Sequence, residues 1–170
     1  MTAPNARLLE LLDPILARVA ALDPASCTEP ERTMQLEATL EHEFPHAGEH
    51  AQAIAREIER GIAEGWLCDR GDASARFSRL AKPSPATHGM SIDVVSMLGE
   101  GLEHTHPKGE VTLGFPAERQ PGAHSCQFEA RPPAWVFLPP GSRHVPRVIG
   151  ERMNLIYFLP DGAAEWHPRT

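Results

Sequence analysis

Apolar residues recur at helical spacing through the first third of the chain. Leu8, Leu12, Ile15, Leu16, Val19 and Leu22 fall on one face of a helix over residues 5–22. Pro14 lies within that stretch and brings no N–H, so a kink or a fresh start is expected there. The turn residues from Asp23-Pro24 to Glu29-Pro30 read as a linker. A second helix is expected at about 31–43, with Met34, Leu40 and Phe44 inward and Pro45 ending it. A third is expected at about 47–64, with Ala51, Ile54, Ile58 and Ile62 on its apolar side and Gly65 just past its end.

After Gly65 the period shortens to two. Trp66-Leu67-Cys68 and Ala75 to Leu80 flank Asp69-Arg70-Gly71-Asp72, which reads as a hairpin. Lys82-Pro83-Ser84-Pro85 is an extended connector. Strands are expected at Ser91–Met97, Glu110–Phe115, Cys126–Glu129, Trp135–Leu138 and Met153–Leu159, with a loop over Ala117–Ala123. Short strands broken by turns suit a sandwich or barrel. The expected fold class is therefore α+β, a helical segment over residues 1–65 followed by a β-barrel over 66–170.

Composition narrows this. The 170 residues allow one domain with a proper core. Most of the 17 prolines lie after residue 80, where short strands and turns are expected. The formal charge of −7 argues against nucleic acid, although three helices and a hairpin also occur in winged-helix modules. No apolar run approaches a membrane span and no basic-then-apolar leader opens the chain, so a cytoplasmic protein without membrane contact is expected. Cys27, Cys68 and Cys126 are odd in number and form no C-x-x-C, which reads as free thiols in a reducing compartment.

The chemistry concentrates in Glu103-His104-Thr105-His106-Pro107-Lys108-Gly109-Glu110. Histidines two apart on a strand leave the same face, and a carboxylate follows four residues later. Pro139-Pro140-Gly141-Ser142-Arg143-His144 is a turn that delivers a third imidazole. Three histidines and a carboxylate would make a site for a divalent metal such as Zn, Fe, Mn or Ni. His42, His46 and His50 are also evenly spaced, but Pro45 breaks any helix through them, and solvated side chains are expected. Trp135 and Phe137 alternate with Val136 and Leu138, so one pair is placed to line an aromatic pocket, with plain core packing the preferred reading.

These motifs resemble those of the cupin superfamily. His104-x-His106-x3-Glu110 matches the centre of its first motif and Pro139-x-Gly141-x2-His144 that of its second. The flanks depart: Gly99 is one residue too close, and Ala117 and Val148 replace the expected glycine and asparagine. The wider pattern is similar to the 4-hydroxylaminobenzoate lyase family of bacterial nitroaromatic degradation. It runs from Gly61-Ile62-Ala63-Glu64-Gly65-Trp66-Leu67-Cys68 and Phe77-x-Arg79 through Lys82-Pro83-Ser84-Pro85-x-Thr87-His88-Gly89. It continues through the two histidine motifs to Leu159-Pro160-x-Gly162.

The resemblance implies a cupin barrel (a double-stranded β-helix or jelly roll) and a lyase. Its reaction takes 4-hydroxylaminobenzoate to 3,4-dihydroxybenzoate and ammonia, with water the sole addition and no nicotinamide or flavin. His104, His106 and His144 are then the metal ligands, and Glu110 a fourth ligand or the general acid/base. His88 is a candidate second base. Arg79, Lys82 and Arg143 are candidate partners for the substrate carboxylate, with Arg147 nearby, and Tyr157 a candidate pocket residue. A small aromatic carboxylate is the expected partner, and a homodimer the expected assembly. Two other readings stay open: a metal-dependent cupin dioxygenase acting on a catechol or aminophenol, and a non-enzymatic sensor cupin.

Overall fold

The computed structural model describes residues 3–117 and 125–167; the loop expected at 117–123 lies, from residue 118, outside the described residues. Three helices come first: α1 (Ala6–Leu22), α2 (Pro30–Glu43) and α3 (Glu49–Ala63). No fresh start occurs at Pro14; α1 is assigned as one helix through it. A proline inside a helix costs about 3 kcal/mol. Six buried side chains, Leu8, Leu11, Leu12, Ile15, Leu16 and Val19, each contribute about 1.5–3 kcal/mol and outweigh it. In α2 the buried residues are Leu36 and Leu40, while Met34 is 64% exposed, so the expected inward face was rotated. Gly65 does close α3, at φ +79° with its N–H donating to the carbonyl of Ile62.

Among the described residues ten strands follow: β1 (Arg70–Gly71), β2 (Ala75–Ala81), β3 (Met90–Glu100), β4 (His104–His106), β5 (Glu110–Pro116), β6 (Gln127–Phe128), β7 (Trp135–Leu138), β8 (Ser142–His144), β9 (Arg147–Pro160) and β10 (Glu165–Trp166). The hairpin is real but starts later than expected. Arg70 pairs with Phe77, and Trp66–Cys68 is not a strand; Leu67 and Cys68 are buried against the helices instead. The connector holds a short helical turn at Pro85–Thr87, closed by a Ser84/Thr87 capping box.

All pairing is antiparallel. A large sheet has the order β1-β2-β3-β9-β5-β7, with β6 also on β9, and a small sheet has the order β10-β4-β8. Alternation along the strands gives the large sheet two faces. Ile92, Val94, Val111, Leu113, Trp135, Phe137, Ile156 and Phe158 share one continuous core with the helices. Met97, Val136, Leu155 and Tyr157 point the other way, toward the small sheet. Trp135 and Phe137 therefore pack under the helices and do not line a pocket by the histidines. The indole N–H of Trp135 donates to the carbonyl of Phe44 at 2.8 Å.

Glu37 ties α2 to the sheet edge. Its carboxylate accepts two bonds from Arg131, at 2.7 and 2.8 Å, and one from the backbone N–H of Phe137 at 2.8 Å. β7 is the outer strand of its sheet, so this carboxylate occupies a donor that the sheet leaves open. Among the described residues no helix is long and apolar enough to cross a membrane.

Candidate metal centre

Two tight turns bring the donors together. Gly109, at φ +80°, turns the chain from β4 into β5, where a Cβ would stand 3.0 Å from the carbonyl oxygen of Leu138. Gly141, at φ +83°, lets its N–H donate to the carbonyl of His106 at 2.8 Å, which seats β8 beside β4. A side chain at either position would force the left-handed region on a residue that disfavours it. In the resulting register His104 lies directly opposite His144, and both project from the face that His106 uses. Glu110 projects from the large sheet to meet them.

The ligand atoms of His104, His106, Glu110 and His144 all lie within 4.8 Å of one another. Nε2 of His106 is 3.1 Å from Nε2 of His144 and 3.0 Å from Oε2 of Glu110. Donors bound at about 2.1 Å to one cation, 90–110° apart, would stand about 3.0–3.4 Å from each other, so this spacing fits adjacent ligands. Nδ1 of His104 is 2.7 Å from the carbonyl of Leu102. A carbonyl can only accept, so that nitrogen carries the proton and Nε2 keeps its lone pair for a ligand. Nδ1 of His144 is 3.4 Å from Glu129 Oε1, an ion-pair distance whose geometry falls short of a hydrogen bond. Nδ1 of His106 is buried with no hydrogen-bond partner among the described residues.

Burial sets the proton affinities. It holds His106 down to about 3, helped by the neighbouring His104 and His144, and it also lowers His104. It raises Glu110 to about 7, although the Thr112 hydroxyl, donating to Oε1 at 2.8 Å, pulls the other way. Burial likewise raises Glu129, but His144, the Arg147 N–H and His104 together leave it below the usual range. The neutral imidazoles of His104 and His106 are the form that metals need. Two Nε2 atoms across 3.1 Å, beside a carboxylate oxygen, could share a proton or hold a cation.

The remaining candidates divide by location. Register runs Arg79, Asp93, Tyr157, Thr112 across four strands, so these side chains share the face that carries Glu110. Arg79 binds Asp93 through Nε at 2.9 Å and Nη2 at 3.3 Å, leaving Nη1 outside the pair. Tyr157 is buried, and desolvation with nearby Glu110 keeps its phenol protonated. Arg143 points to the opposite face of the small sheet and is paired with Glu103 at 2.9 and 3.0 Å. Lys82 lines a groove of about 650 Å³ between α1 and the connector, and His88 faces Asp13 there at 3.7 Å. That groove gathers exposed charges and no converging donors, whereas the histidine cluster brings together four side chains that could hold a metal. Two residues escaped the sequence reading. Glu129, beside His144, belongs to no motif, and Trp166, whose ring centroid lies 4.7 Å from that of His104, comes from a two-residue strand too short to show a period. Among the described residues, His42, His46 and His50 form no such group. His42 is exposed, His46 bonds Glu41 at 2.8 Å, and His50 bonds the carbonyl of Leu11 at 2.8 Å.

Residues 25–166 match the family described as PnbB, 4-hydroxylaminobenzoate lyase. The chain belongs to the 4-hydroxylaminobenzoate lyase family. A curated relative named 4-hydroxylaminobenzoate lyase, from Nocardioides sp. (strain LMS-CY), is 28% identical over 137 residues, covering 75% of this chain and 78% of the relative. Among solved structures, an RmlC-like cupin protein from Ralstonia eutropha JMP134 is similar at TM-score 0.41 and 13% identity. That match covers 57% of this chain and 62% of that one. The DMSP lyase DddQ from Ruegeria pomeroyi DSS-3 is similar at TM-score 0.42 and 20% identity, covering 93% and 94%. Family members carry the name of an enzyme, and in this chain a buried His/Glu group able to hold a metal stands between the two sheets.

Proposed function

We propose that the protein is a lyase that converts 4-hydroxylaminobenzoate, or a related hydroxylamino-arene, to 3,4-dihydroxybenzoate with release of ammonia, assisted by a divalent metal. Family membership supports the substrate class, and the convergence of four donors within 4.8 Å is the observation that carries the metal. The balance closes with one net water: the N–O bond breaks and its oxygen leaves as water, a second water adds at the ring carbon next to the nitrogen-bearing one, and a third hydrolyses the imine at the nitrogen-bearing carbon, releasing ammonia. A divalent cation on these ligands would supply Lewis acidity and a lowered pKa for water.

The chain's own residues supply the rest. Thr112 occupies Oε1 of Glu110, so Oε2 is the oxygen that faces the histidines. In the metal-free protein burial keeps a proton on Glu110 near neutrality; with Glu110 outside the ligand set, Oε2 can hand that proton to the departing hydroxyl as the N–O bond breaks, whereas a ligating Glu110 gives it up on metal binding. Service as a fourth ligand would use the same Oε2. Arg79, with Nη1 outside its pair with Asp93, is the cation on the Glu110 face that suits the substrate carboxylate. Tyr157 presents a neutral hydroxyl on that face. A homodimer of a protein without nucleic-acid or membrane partners belongs to the same reading.

The test is anaerobic turnover of 4-hydroxylaminobenzoate by metal-loaded and chelator-stripped protein, followed by ammonia release. Ammonia formed without oxygen, lost on stripping and restored by one divalent metal, is the expected result. Turnover that needs oxygen would favour the dioxygenase reading, and equal turnover after complete stripping would remove the metal from the mechanism.

A further inference from the structure

Trp166 stands where the side chains of a sheet edge meet the ligand group. It lies directly opposite His104 in the β10–β4 pairing, and His104 lies opposite His144. Cross-strand partners project to the same side of a sheet, so Trp166, His104 and His144 form one row on the metal-facing side. The indole centroid is 4.7 Å from the His104 ring at a 44° tilt, yet Trp166 is 64% exposed while His104 is 6% exposed. A large aromatic ring that is turned toward a buried site and left open is not serving as core.

Its segment is held in place. The N–H of His167 donates to the carbonyl of Glu103 at 3.0 Å, and Nε2 of His167 is 2.8 Å from the Thr105 hydroxyl. Both bonds come from His167 and pin β10 to β4 just after the tryptophan, while Glu165 pairs with Thr105 just before it. We propose that Trp166 is a substrate-positioning residue, the platform on which the substrate's aromatic ring stacks while its nitrogen substituent enters the histidine cluster. This rests on the hydroxylamino-arene reading above.

The dimensions agree. With bonds of about 1.4 Å, a hydroxylamino oxygen at the ligand group puts its ring centre about 4 Å farther out. Aromatic pairs stack with centroids about 4.5–7 Å apart, so a ring placed there can reach the open indole face beside His104. The para carboxylate then points away from the cluster, toward solvent or a cation.

The experiment measures binding of 4-aminobenzoate, which keeps the ring and carboxylate but has no N–O bond to break. Its Kd is read by calorimetry for metal-loaded wild type, Trp166→Phe and Trp166→Leu, with metal content measured for each. Both variants keep apolar bulk against His104, and only phenylalanine keeps a π face. The expected result is a Kd within about 2-fold of wild type for Trp166→Phe and about 3- to 10-fold weaker for Trp166→Leu, the scale of one aromatic stacking contact. KM for 4-hydroxylaminobenzoate should move in parallel while kcat moves less. Equal Kd values for the two variants at equal metal content overturn the platform, as does a change of sedimentation coefficient with Kd unchanged, which would make Trp166 a subunit contact. If wild type neither binds 4-aminobenzoate nor turns over 4-hydroxylaminobenzoate, the functional reading itself falls. An active wild type with Trp166→Leu equal to Trp166→Phe removes only the platform.

Discussion

Metal binding to this site should release a proton from Glu110, and Glu110→Gln should abolish that part of the release. Burial holds Glu110 near 7, so in the metal-free protein about 0.9 of the molecules carry its proton at pH 6 and about 0.1 at pH 8. A ligating carboxylate must lose that proton. His106, held near 3, has none to give in this range. Calorimetry of Zn²⁺ binding in two buffers of different ionisation enthalpy counts the protons released. Wild type should exceed Glu110→Gln by about 0.9 proton at pH 6 and by about 0.1 at pH 8. The same competition should raise the wild-type affinity by about 100-fold between pH 5 and pH 8 beyond any rise in the variant, equivalent to about 2.7 kcal/mol. Equal release by both proteins at pH 6 would show that Glu110 is already ionised or is not a ligand. No binding by wild type would remove the metal centre altogether.

Two further outcomes follow from the packing and the buried charges. Glu37→Ala strips two bonds from Arg131 and leaves the Phe137 N–H without its acceptor; with Arg131 partly exposed, a loss of about 2–3 kcal/mol in urea-unfolding free energy is expected, and a loss below about 0.5 would mean that the clamp is not holding α2 to the sheet edge. His106 has a folded-state pKa far below the unfolded value of about 6.5, so its contribution to metal-free stability is present above 6.5 and is lost as pH falls toward 3. Glu110, raised, works in the opposite sense between about 4.5 and 7, so the His106 part is read against His106→Gln, whose stability should fall less steeply between pH 6.5 and 4; parallel profiles would contradict the burial argument.

The convergence of His104, His106, Glu110 and His144 was legible because their spacing is local. His104 and His106 share a strand face by the two-residue period alone, and the Pro139-Pro140-Gly141 turn has few other uses than to reverse the chain before His144. The helices were legible because α1 and α3 carry unbroken apolar stripes. Where the stripe is weak, as in α2, its face was misjudged: Met34 is exposed and Leu36 buried, because the sheet edge at β7, and not the helix's own composition, chooses the side that packs.

Register and the second face of the large sheet could not be read from the chain. Whether Trp135 or Val136 looks toward the histidines depends on which strand lies beside β7, a pairing between segments far apart in sequence. Another long-range pairing, β2 with β3, sets Arg79 on the Glu110 face, while Lys82 and His88 lie by α1, although all three lie within ten residues of one another. Glu129 and Trp166 carry no motif and reach the site only because β6 and β10 close onto β9 and β4. Residue types and short spacings decide which atoms can bind a cation. The burial that shifts His106 and Glu110 in opposite directions, and the open indole beside His104, exist only once two sheets face each other, because desolvation and cross-strand neighbours are properties of the assembled sheets.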